Sequence, residues 1–203
     1  MITPDLPFGD PRTTYAERIR PAVAALSRVD EPVVVIGHSL GAGYAPLVAK
    51  ATLRSSLVYL CPAPVGPFSG VGAPMRGSRK GFPFPPERDD GTSAWDPDVA
   101  ISVIYPRLAP EAARGLARRL KPGSAPVDSY PLRTPPDVPT SFIYARHDEF
   151  FDPAWSRWVA VEAAGLEPVE LDSGHFPMLE IPDELAEILL QPAFSAADPA
   201  VTD

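Results

Sequence analysis

The sequence predicts an α/β fold with a mostly parallel sheet and flanking helices. Short apolar segments at 33–36, 57–60, 140–145 and 168–171 are typical of buried strands, and segments with helical spacing alternate with them. The first segment lacks alternating polar residues, which favours a strand covered on both faces, as in a parallel sheet. It leads directly into Gly-x-Ser-x-Gly at 37–41 and then into a helix, and this context separates the motif from chance matches.

Length and charge restrict the function classes. The chain of 203 residues is long enough for one domain with a substantial core. A net charge of −8 and a pI of about 4.9 argue against a nucleic acid or an anionic membrane as partner, because both require a basic surface. The lone cysteine, Cys61, excludes an intramolecular disulfide and is expected in the core. With no leader pattern and no apolar run long enough to cross a bilayer, we expect a cytoplasmic protein.

The segment before the first strand is expected to contain a loop and one helix. Residues 1–11 have the pattern of a strand end followed by a loop rich in turn-forming residues. Thr14 and Glu17 have the spacing of a capping box. Apolar residues then recur at helical spacing to about Arg28, and Pro21 is expected to kink this helix.

Ser39 is expected at the tip of the turn that follows the first strand. The flanking glycines, Gly37 and Gly41, remove Cβ atoms where strand and helix come close and allow the serine a strained conformation that exposes its hydroxyl. This arrangement is a nucleophile elbow, and the alternative is a serine in an ordinary tight turn. The following helix is expected to run to about Ala51, with Pro46 distorting its beginning.

The region from about 65 to 136 is expected to form a cap over a pocket. Its first half is rich in Pro and Gly, and two helices follow, one with Asp96 as N-cap and one starting at Pro110. A long, partly helical insertion between two sheet strands is typical of such a cap. The candidate substrate-binding residues lie in the cap or beside the motifs, and they are His38, Phe82, Trp95, Tyr105 and Phe176. For those in the cap, ordinary packing is the alternative role.

The C-terminal third resumes the alternation of strands and helices. A helix is expected from Pro153 to about Ala164, and a last helix spans about 183–190 after the strand 168–171. Residues 1–192 are therefore expected to form a single domain, and the small, polar tail 193–203 is expected to be disordered.

Activation of Ser39 requires a base. A serine hydroxyl is a weak nucleophile at neutral pH and needs a neutral imidazole to accept its proton. His38 adjoins the serine on a turn that directs its side chain away, and His147 also fits a solvated loop residue. His175 lies in a loop at the carboxyl end of the last predicted strand, the edge where sites of parallel sheets collect. We expect His175 to be the base, with capping of the last helix as its alternative role.

The imidazole in turn needs a carboxylate that orients it. Asp148 lies three residues past a predicted strand, at the same edge of the sheet as His175. Glu149 and Asp152 are rivals. Asp172 is only three residues from His175 and is poorly placed to reach the distal imidazole nitrogen, so Asp148 is favoured.

Four segments together carry a specific combination of motifs. They are Asp5-Leu6-Pro7-Phe8-Gly9-Asp10, Gly37-His38-Ser39-Leu40-Gly41, Ala145-Arg146-His147-Asp148 and Ser173-Gly174-His175-Phe176-Pro177-Met178-Leu179. In this combination the chain resembles the α/β-hydrolases, and in particular the small capped esterases, the branch that contains plant methyl esterases and hydroxynitrile lyases. The resemblance implies a serine hydrolase with Ser39, Asp148 and His175 as triad and the backbone N–H of Leu40 as one oxyanion donor. It implies a small ester or thioester as substrate, and neither cofactor nor metal.

One departure from the family pattern bears on activity. In α/β-hydrolases the stretch that resembles Asp5–Asp10 follows the fourth strand, so the resemblance implies about sixty further residues with three strands ahead of Met1 and an N-terminally incomplete fold. The loop after the third strand supplies the second oxyanion N–H, and losing one such donor costs on the order of a hundredfold in rate. The alternatives to an active esterase are therefore a weakly active or inactive protein that only binds ligand, and a lyase on the same scaffold. A lysine in the cap would favour the lyase, but neither Lys80 nor Lys121 is well placed.

Overall fold

Four parallel strands form the centre of the fold, as the sequence predicts. The computed structural model describes residues 1–52, 55–71 and 82–191. The strands lie side by side in the order β1-β2-β3-β4, which is also their order along the chain. Their bounds are Val33–His38 for β1, Ser55–Leu60 for β2, Thr140–Ala145 for β3 and Val169–Leu171 for β4.

The parallel pairing brings the carboxyl ends of all four strands to one edge of the sheet. Strand β1 pairs with β2, β2 with β3, and β3 with β4, each in parallel. Every residue of β2 is buried, and so are the last four residues of β3. The loops that follow β1, β3 and β4 therefore meet above a rigid, buried centre, where a site can be held precisely in place.

Strand β1 is only partly covered. Within the described residues it pairs with β2 alone, its three valines are half-buried, and Ile36 is 42 % exposed. The prediction that this strand is covered on both faces is therefore wrong. A run of β-branched residues indicates a strand, but it does not distinguish an edge strand from a central one.

Helix α1 spans Tyr15–Leu26 and begins as predicted. The Thr14 hydroxyl accepts the N–H of Glu17 at 3.2 Å, and the Glu17 carboxylate accepts the N–H of Thr14 at 2.8 Å, which completes the capping box. Pro21 lies inside this helix. The residues before Thr14 form turns and irregular backbone instead of the predicted strand end, because a strand requires a hydrogen-bonded neighbour and the described sheet ends at β1.

The helical segment after β1 has two parts, which corrects the expected effect of Pro46. Residues Ser39–Gly43 form a 3₁₀ turn, and helix α2 spans Ala45–Ala51. Pro46 is therefore in the first turn of α2, where its missing N–H removes no intrahelical hydrogen bond. The proline starts a helix and does not distort one.

The insertion between β2 and β3 contains the two predicted short helices. Helix α3 spans Pro97–Val103, and the Asp96 side chain caps it by accepting the N–H groups of Asp98 and Val99. Helix α4 spans Pro110–Ala117. Both helices contribute buried alanines to the apolar cluster that covers one face of the sheet. Residues 72–81, with Lys80 among them, lie outside the described part of the chain.

Three further helices follow β3 and β4. Helix α5 spans Pro153–Trp158 and continues as a wider π-type turn over Val159–Ala163, which together cover the predicted helix. Helix α6 spans Pro177–Glu180, and helix α7 spans Pro182–Leu189, close to the predicted last helix. The tail 193–203 lies outside the described residues. Across the described ranges, no helix has the length and apolar character needed to cross a membrane.

Candidate active site

Ser39 follows β1 in a strained turn. Its φ angle is 51°, in the left-handed region, which costs about 1–2 kcal/mol for a residue with a side chain. The carbonyl oxygen of Ser39 accepts the N–H of Ala63 at 3.1 Å, so the turn is tied to the segment after β2. This strained serine between a strand and a helix is the local geometry of a nucleophile elbow.

The two glycines of the motif, Gly37 and Gly41, differ in the space around them for a Cβ atom. A Cβ atom on Gly37 would lie 2.7 Å from Ala45 Cβ and 2.8 Å from the carbonyl oxygen of Gly41. A Cβ atom on Gly41 would meet nothing within 4 Å. The expectation that a glycine permits close approach of strand and helix is therefore confirmed for Gly37 and wrong for Gly41.

Replacing Gly37 by alanine is expected to lower the free energy of unfolding by about 1–3 kcal/mol, because the added methyl group overlaps the start of α2 and no side-chain rotation relieves the overlap. Urea denaturation followed by circular dichroism measures this loss. Gly41→Ala is the matched control and is expected to leave stability unchanged or slightly raised, because alanine restricts the unfolded chain. Equal losses in the two variants would contradict the assignment.

The structure brings Ser39, Asp148 and His175 together. His175 Nε2 lies 2.9 Å from Ser39 Oγ, and His175 Nδ1 lies 2.7 Å from Asp148 Oδ2. Ser39 follows β1, Asp148 lies in the loop after β3, and His175 lies in the loop after β4. The three side chains are those that the sequence analysis selects as nucleophile, acid and base, and the shared edge of the sheet is what places them together.

Hydrogen bonding determines which nitrogen of His175 carries the proton. The carboxylate of Asp148 can only accept, so Nδ1 of the neutral imidazole is protonated and Nε2 is free to accept the hydroxyl proton of Ser39. The second oxygen of Asp148, Oδ1, accepts the N–H groups of Phe150 at 2.8 Å and Phe151 at 2.9 Å. The carboxylate is therefore fixed to the backbone through one oxygen and to the imidazole through the other.

Aromatic rings surround the imidazole of His175. The Phe150 ring stacks on it with centroids 4.3 Å apart and planes 25° apart, while Phe151 and Phe176 approach edge-on at 5.2 and 5.0 Å. His175 is 1 % exposed and Asp148 is 2 % exposed. In such water-poor surroundings the attraction between an imidazolium and a carboxylate is stronger than in water.

His38 contacts the backbone of the loop that carries His175. Its Nε2–H donates to the carbonyl oxygen of His175 at 2.8 Å, and the two rings lie 4.9 Å apart. Burial, reinforced by the neighbouring His175, lowers the pKa of His38 to about 4. His38 is therefore neutral at physiological pH and acts as a hydrogen-bond donor to this loop. A role in substrate binding stays a prediction.

The rival residues are engaged elsewhere. His147 Nε2 lies 2.9 Å from Asp172 Oδ1 in an exposed pair, and Asp152 caps α5 by accepting the N–H of Ala154. The carboxylate of Glu149 lies beside Gly174, because a Cβ atom built there would be 2.9 Å from Glu149 Oε2, and the imidazole of His175 bonds Asp148 and Ser39.

The candidate substrate-binding residues of the insertion form a continuous aromatic surface that reaches His175. Phe82 lies 4.3 Å from Phe150 between ring centroids and 5.9 Å from Trp95. Tyr105 lies 5.3 Å from Phe176. The aromatic side chains of the insertion therefore pack against Phe150 and Phe176, which in turn contact the imidazole. The substrate contacts of these residues stay predictions.

Three residues that contact the loop of His175 or its imidazole were not predicted from the sequence. Phe150 could have been found, because it is an aromatic residue two positions after Asp148 in the same loop. Glu180 lies five positions after His175 and accepts the N–H of Gly174 at 2.9 Å. Arg107 pairs with Glu180 across 73 positions of sequence, and no local pattern signals such a contact.

Cys61 is buried, as predicted, and takes no part in the hydrogen-bonded line from Ser39 to Asp148. Burial, and secondarily the charge of Asp148, raises the pKa of its thiol well above the usual value. The thiol therefore stays protonated at neutral pH, and a protonated thiol is a poor nucleophile.

Comparisons with known proteins agree with this architecture. The profile described as the Alpha/beta hydrolase family matches residues 1–188. A pyrethroid hydrolase from Sphingobium faniae JZ-2 is 21 % identical with a TM-score of 0.65, over 92 % of this chain and 83 % of that chain. A mutant of polyneuridine aldehyde esterase is 22 % identical with a TM-score of 0.67, over 89 % of this chain and 80 % of that one. An extracellular alpha/beta-hydrolase from a Paenibacillus species is 15 % identical with a TM-score of 0.61, over 88 % and 79 % of the two chains.

No curated protein matches the chain. The solved structures are too distant in sequence to transfer a substrate, and their likeness establishes the fold: a parallel four-stranded sheet flanked by helices, as in the α/β-hydrolases. The resemblance drawn from the motifs is confirmed at this level. Because the family profile spans residues 1–188, nearly the whole sequence, this chain belongs to the alpha/beta hydrolase family.

Proposed function

We propose that the protein is a serine hydrolase that cleaves a small carboxylic ester or thioester through an acyl-serine intermediate. The observation that carries the proposal is the unbroken hydrogen-bonded line from Asp148 through His175 to Ser39, with distances of 2.7 and 2.9 Å. This line supplies a nucleophile, a base and an orienting carboxylate within reach of one another.

In the acylation step, Ser39 Oγ attacks the carbonyl carbon of the substrate while its proton moves to His175 Nε2. The positive charge that forms on His175 is stabilised by Asp148. The tetrahedral intermediate then collapses and the bond to the leaving oxygen or sulfur breaks. His175 gives its proton to that atom, so an alcohol or thiol leaves and Ser39 carries the acyl group as an ester.

Deacylation repeats these steps with water. His175 Nε2 takes a proton from a water molecule, whose oxygen attacks the acyl carbon. The bond between the acyl carbon and Ser39 Oγ breaks, and the proton returns to Ser39. The carboxylic acid leaves, and water is the one co-substrate that the balance requires.

The negative charge on the carbonyl oxygen needs donors near Ser39. We assign the backbone N–H of Leu40 as one of them, because Leu40 directly follows Ser39 at the start of the 3₁₀ turn. The aromatic surface of Phe82, Trp95, Tyr105 and Phe176 is proposed to contact the apolar part of the substrate.

Treatment of the purified chain with a fluorophosphonate tests the proposal. The reagent phosphonylates an activated serine, so intact-mass and peptide mass spectrometry are expected to show one adduct, located on Ser39. Ser39→Ala is expected to give none. Ser27→Ala, which changes an exposed serine at the end of α1, is the matched control and is expected to react like the wild type.

Two results of the labelling experiment would contradict the proposal. A folded wild-type chain that gains no adduct, or gains it on a serine other than Ser39, would overturn the assignment of Ser39 as the nucleophile. Circular dichroism establishes that the chain is folded before the reagent is added.

A further inference from the structure

Two carboxylates lie against the loop that carries His175. Glu180 Oε2 accepts the N–H of Gly174 at 2.9 Å. Glu149 Oε2 lies 2.9 Å from the position that a Cβ atom on Gly174 would take. Glu149 directly follows Asp148, whereas Glu180 is the last residue of α6. The loop is therefore hydrogen-bonded to a carboxylate from the α6 side and lies close to another from the β3 side.

A cation from the insertion pairs with Glu180 beside Glu149. Arg107, in the segment between α3 and α4, donates from Nε to Glu180 Oε2 at 2.7 Å. A Cβ atom built on Gly174 would lie 2.6 Å from Arg107 Cδ, 2.7 Å from Glu180 Oε1 and 2.9 Å from Glu149 Oε2. The three side chains thus close around the residue that precedes His175.

The two carboxylates repel each other, and the positive charge of Arg107 opposes this repulsion. Half-burial raises the pKa of Glu149, and the negative charges of Glu180 and Asp148 add to this shift. Glu180 and Glu149 in turn raise the pKa of the Arg107 guanidinium, with Asp172 contributing less. Arg107 therefore supplies positive charge where Glu149 and Glu180 approach each other beside Gly174.

We propose that Arg107 and Glu180 are positioning residues that fix the backbone at Gly174 and so keep His175 Nε2 at hydrogen-bonding distance from Ser39 Oγ. The inference rests on the proposed function, in which that distance determines proton transfer. Because Arg107 belongs to the insertion, the geometry of the site depends on the insertion remaining docked near α6.

This role differs from that of an ordinary surface ion pair. The Arg107 side chain is 40 % exposed, and an ion pair of that exposure contributes little to global stability. A displacement of about 1 Å at a reacting group, by contrast, costs up to about a hundredfold in rate. Activity is therefore expected to change far more than the melting temperature.

The test compares Arg107→Met, the double variant Arg107→Met with Glu180→Gln, and the control Arg12→Met. Arg12 forms an exposed ion pair with Asp10. Arg107→Met is expected to lower kcat for 4-nitrophenyl acetate, and the rate of fluorophosphonate labelling, by about tenfold, with KM changed by less than about twofold. Arg12→Met is expected to match the wild type.

The double variant separates positioning from packing. A glutamine at position 180 still offers an oxygen to the N–H of Gly174 and removes the repulsion with Glu149. Its kcat is therefore expected to recover to within about threefold of the wild type. A lost packing contact of Arg107 would not be rescued by changing Glu180.

Single variants at Glu180 keep the proposal testable if Arg107→Met does not fold. Glu180→Ala leaves the N–H of Gly174 without its acceptor, and its kcat is expected to lie at least about fivefold below that of Glu180→Gln. Two outcomes would overturn this inference alone, provided that the wild type is labelled on Ser39. In the first, Arg107→Met keeps the wild-type kcat and labelling rate. In the second, the double variant has a kcat no higher than that of Arg107→Met. Absence of an adduct on the wild type would overturn the proposed function, and the inference would fall with it.

Discussion

Replacing His175 by alanine is expected to lower kcat for 4-nitrophenyl acetate by about ten-thousandfold or more. Without the imidazole, the proton of Ser39 has no acceptor at 2.9 Å and the leaving group has no proton donor. Acylation and deacylation are therefore both expected to slow. KM is expected to change little, because the aromatic surface formed by the insertion remains. Steady-state spectrophotometry at saturating substrate measures the two parameters separately.

The control for this variant is His147→Ala. His147 is half-exposed and pairs with Asp172, so its loss is expected to leave kcat near the wild-type value. His175 is fully buried against Phe150, and its removal also leaves a cavity. The melting temperature must therefore be measured first and the assay run well below it. A folded His175→Ala variant that retains wild-type kcat would refute the role of the imidazole.

The sheet and the elbow were predictable because their signals are local. The β-branched run before Gly37 indicates β1, and the Thr14–Glu17 spacing indicates the start of α1, and both are found. The same signals could not show that β1 lies at the edge of the sheet that the described residues form, with Ile36 exposed. Whether a strand has a second neighbour depends on the rest of the sheet and not on its own residues.

Long-range polar contacts were beyond prediction for a related reason. Arg18 follows Glu17 in α1 and has the sequence context of a solvated helix residue, yet it is completely buried. Its guanidinium donates to the carbonyl oxygen of Ala125, 107 positions away, and to the hydroxyl of Tyr44. A charged side chain can be buried at acceptable cost only when such partners exist, and their positions are set by the tertiary fold.

The candidate site also contains residues that could be predicted from the sequence and residues that could not. Ser39, Asp148 and His175 could be selected because each follows a strand, and parallel strands bring their carboxyl ends to one edge. The supporting contacts of Glu180 and Arg107 could not be predicted, since they depend on how the insertion and α6 pack over that edge.

Replacing Asp148 by asparagine is expected to lower kcat by about ten-thousandfold without large structural change. Oδ1 of Asp148 accepts the N–H groups of Phe150 and Phe151, so the oxygen of an asparagine amide is held at that position. The amide nitrogen then occupies the place of Oδ2 and directs an N–H toward His175 Nδ1. The imidazole must accept there, which moves its own proton to Nε2 and leaves no acceptor for the Ser39 hydroxyl.

The matched control is Asp172→Asn, which changes an exposed carboxylate near the same loop and is expected to keep nearly all activity. The tautomer can also be observed directly, because ¹⁵N chemical shifts distinguish a protonated imidazole nitrogen from an unprotonated one. At a pH where His175 is neutral, the wild type is expected to carry its proton on Nδ1 and Asp148→Asn on Nε2. An inactive Asp148→Asn variant with the proton still on Nδ1 would show that Asp148 acts through its charge on the imidazolium and not by selecting the tautomer.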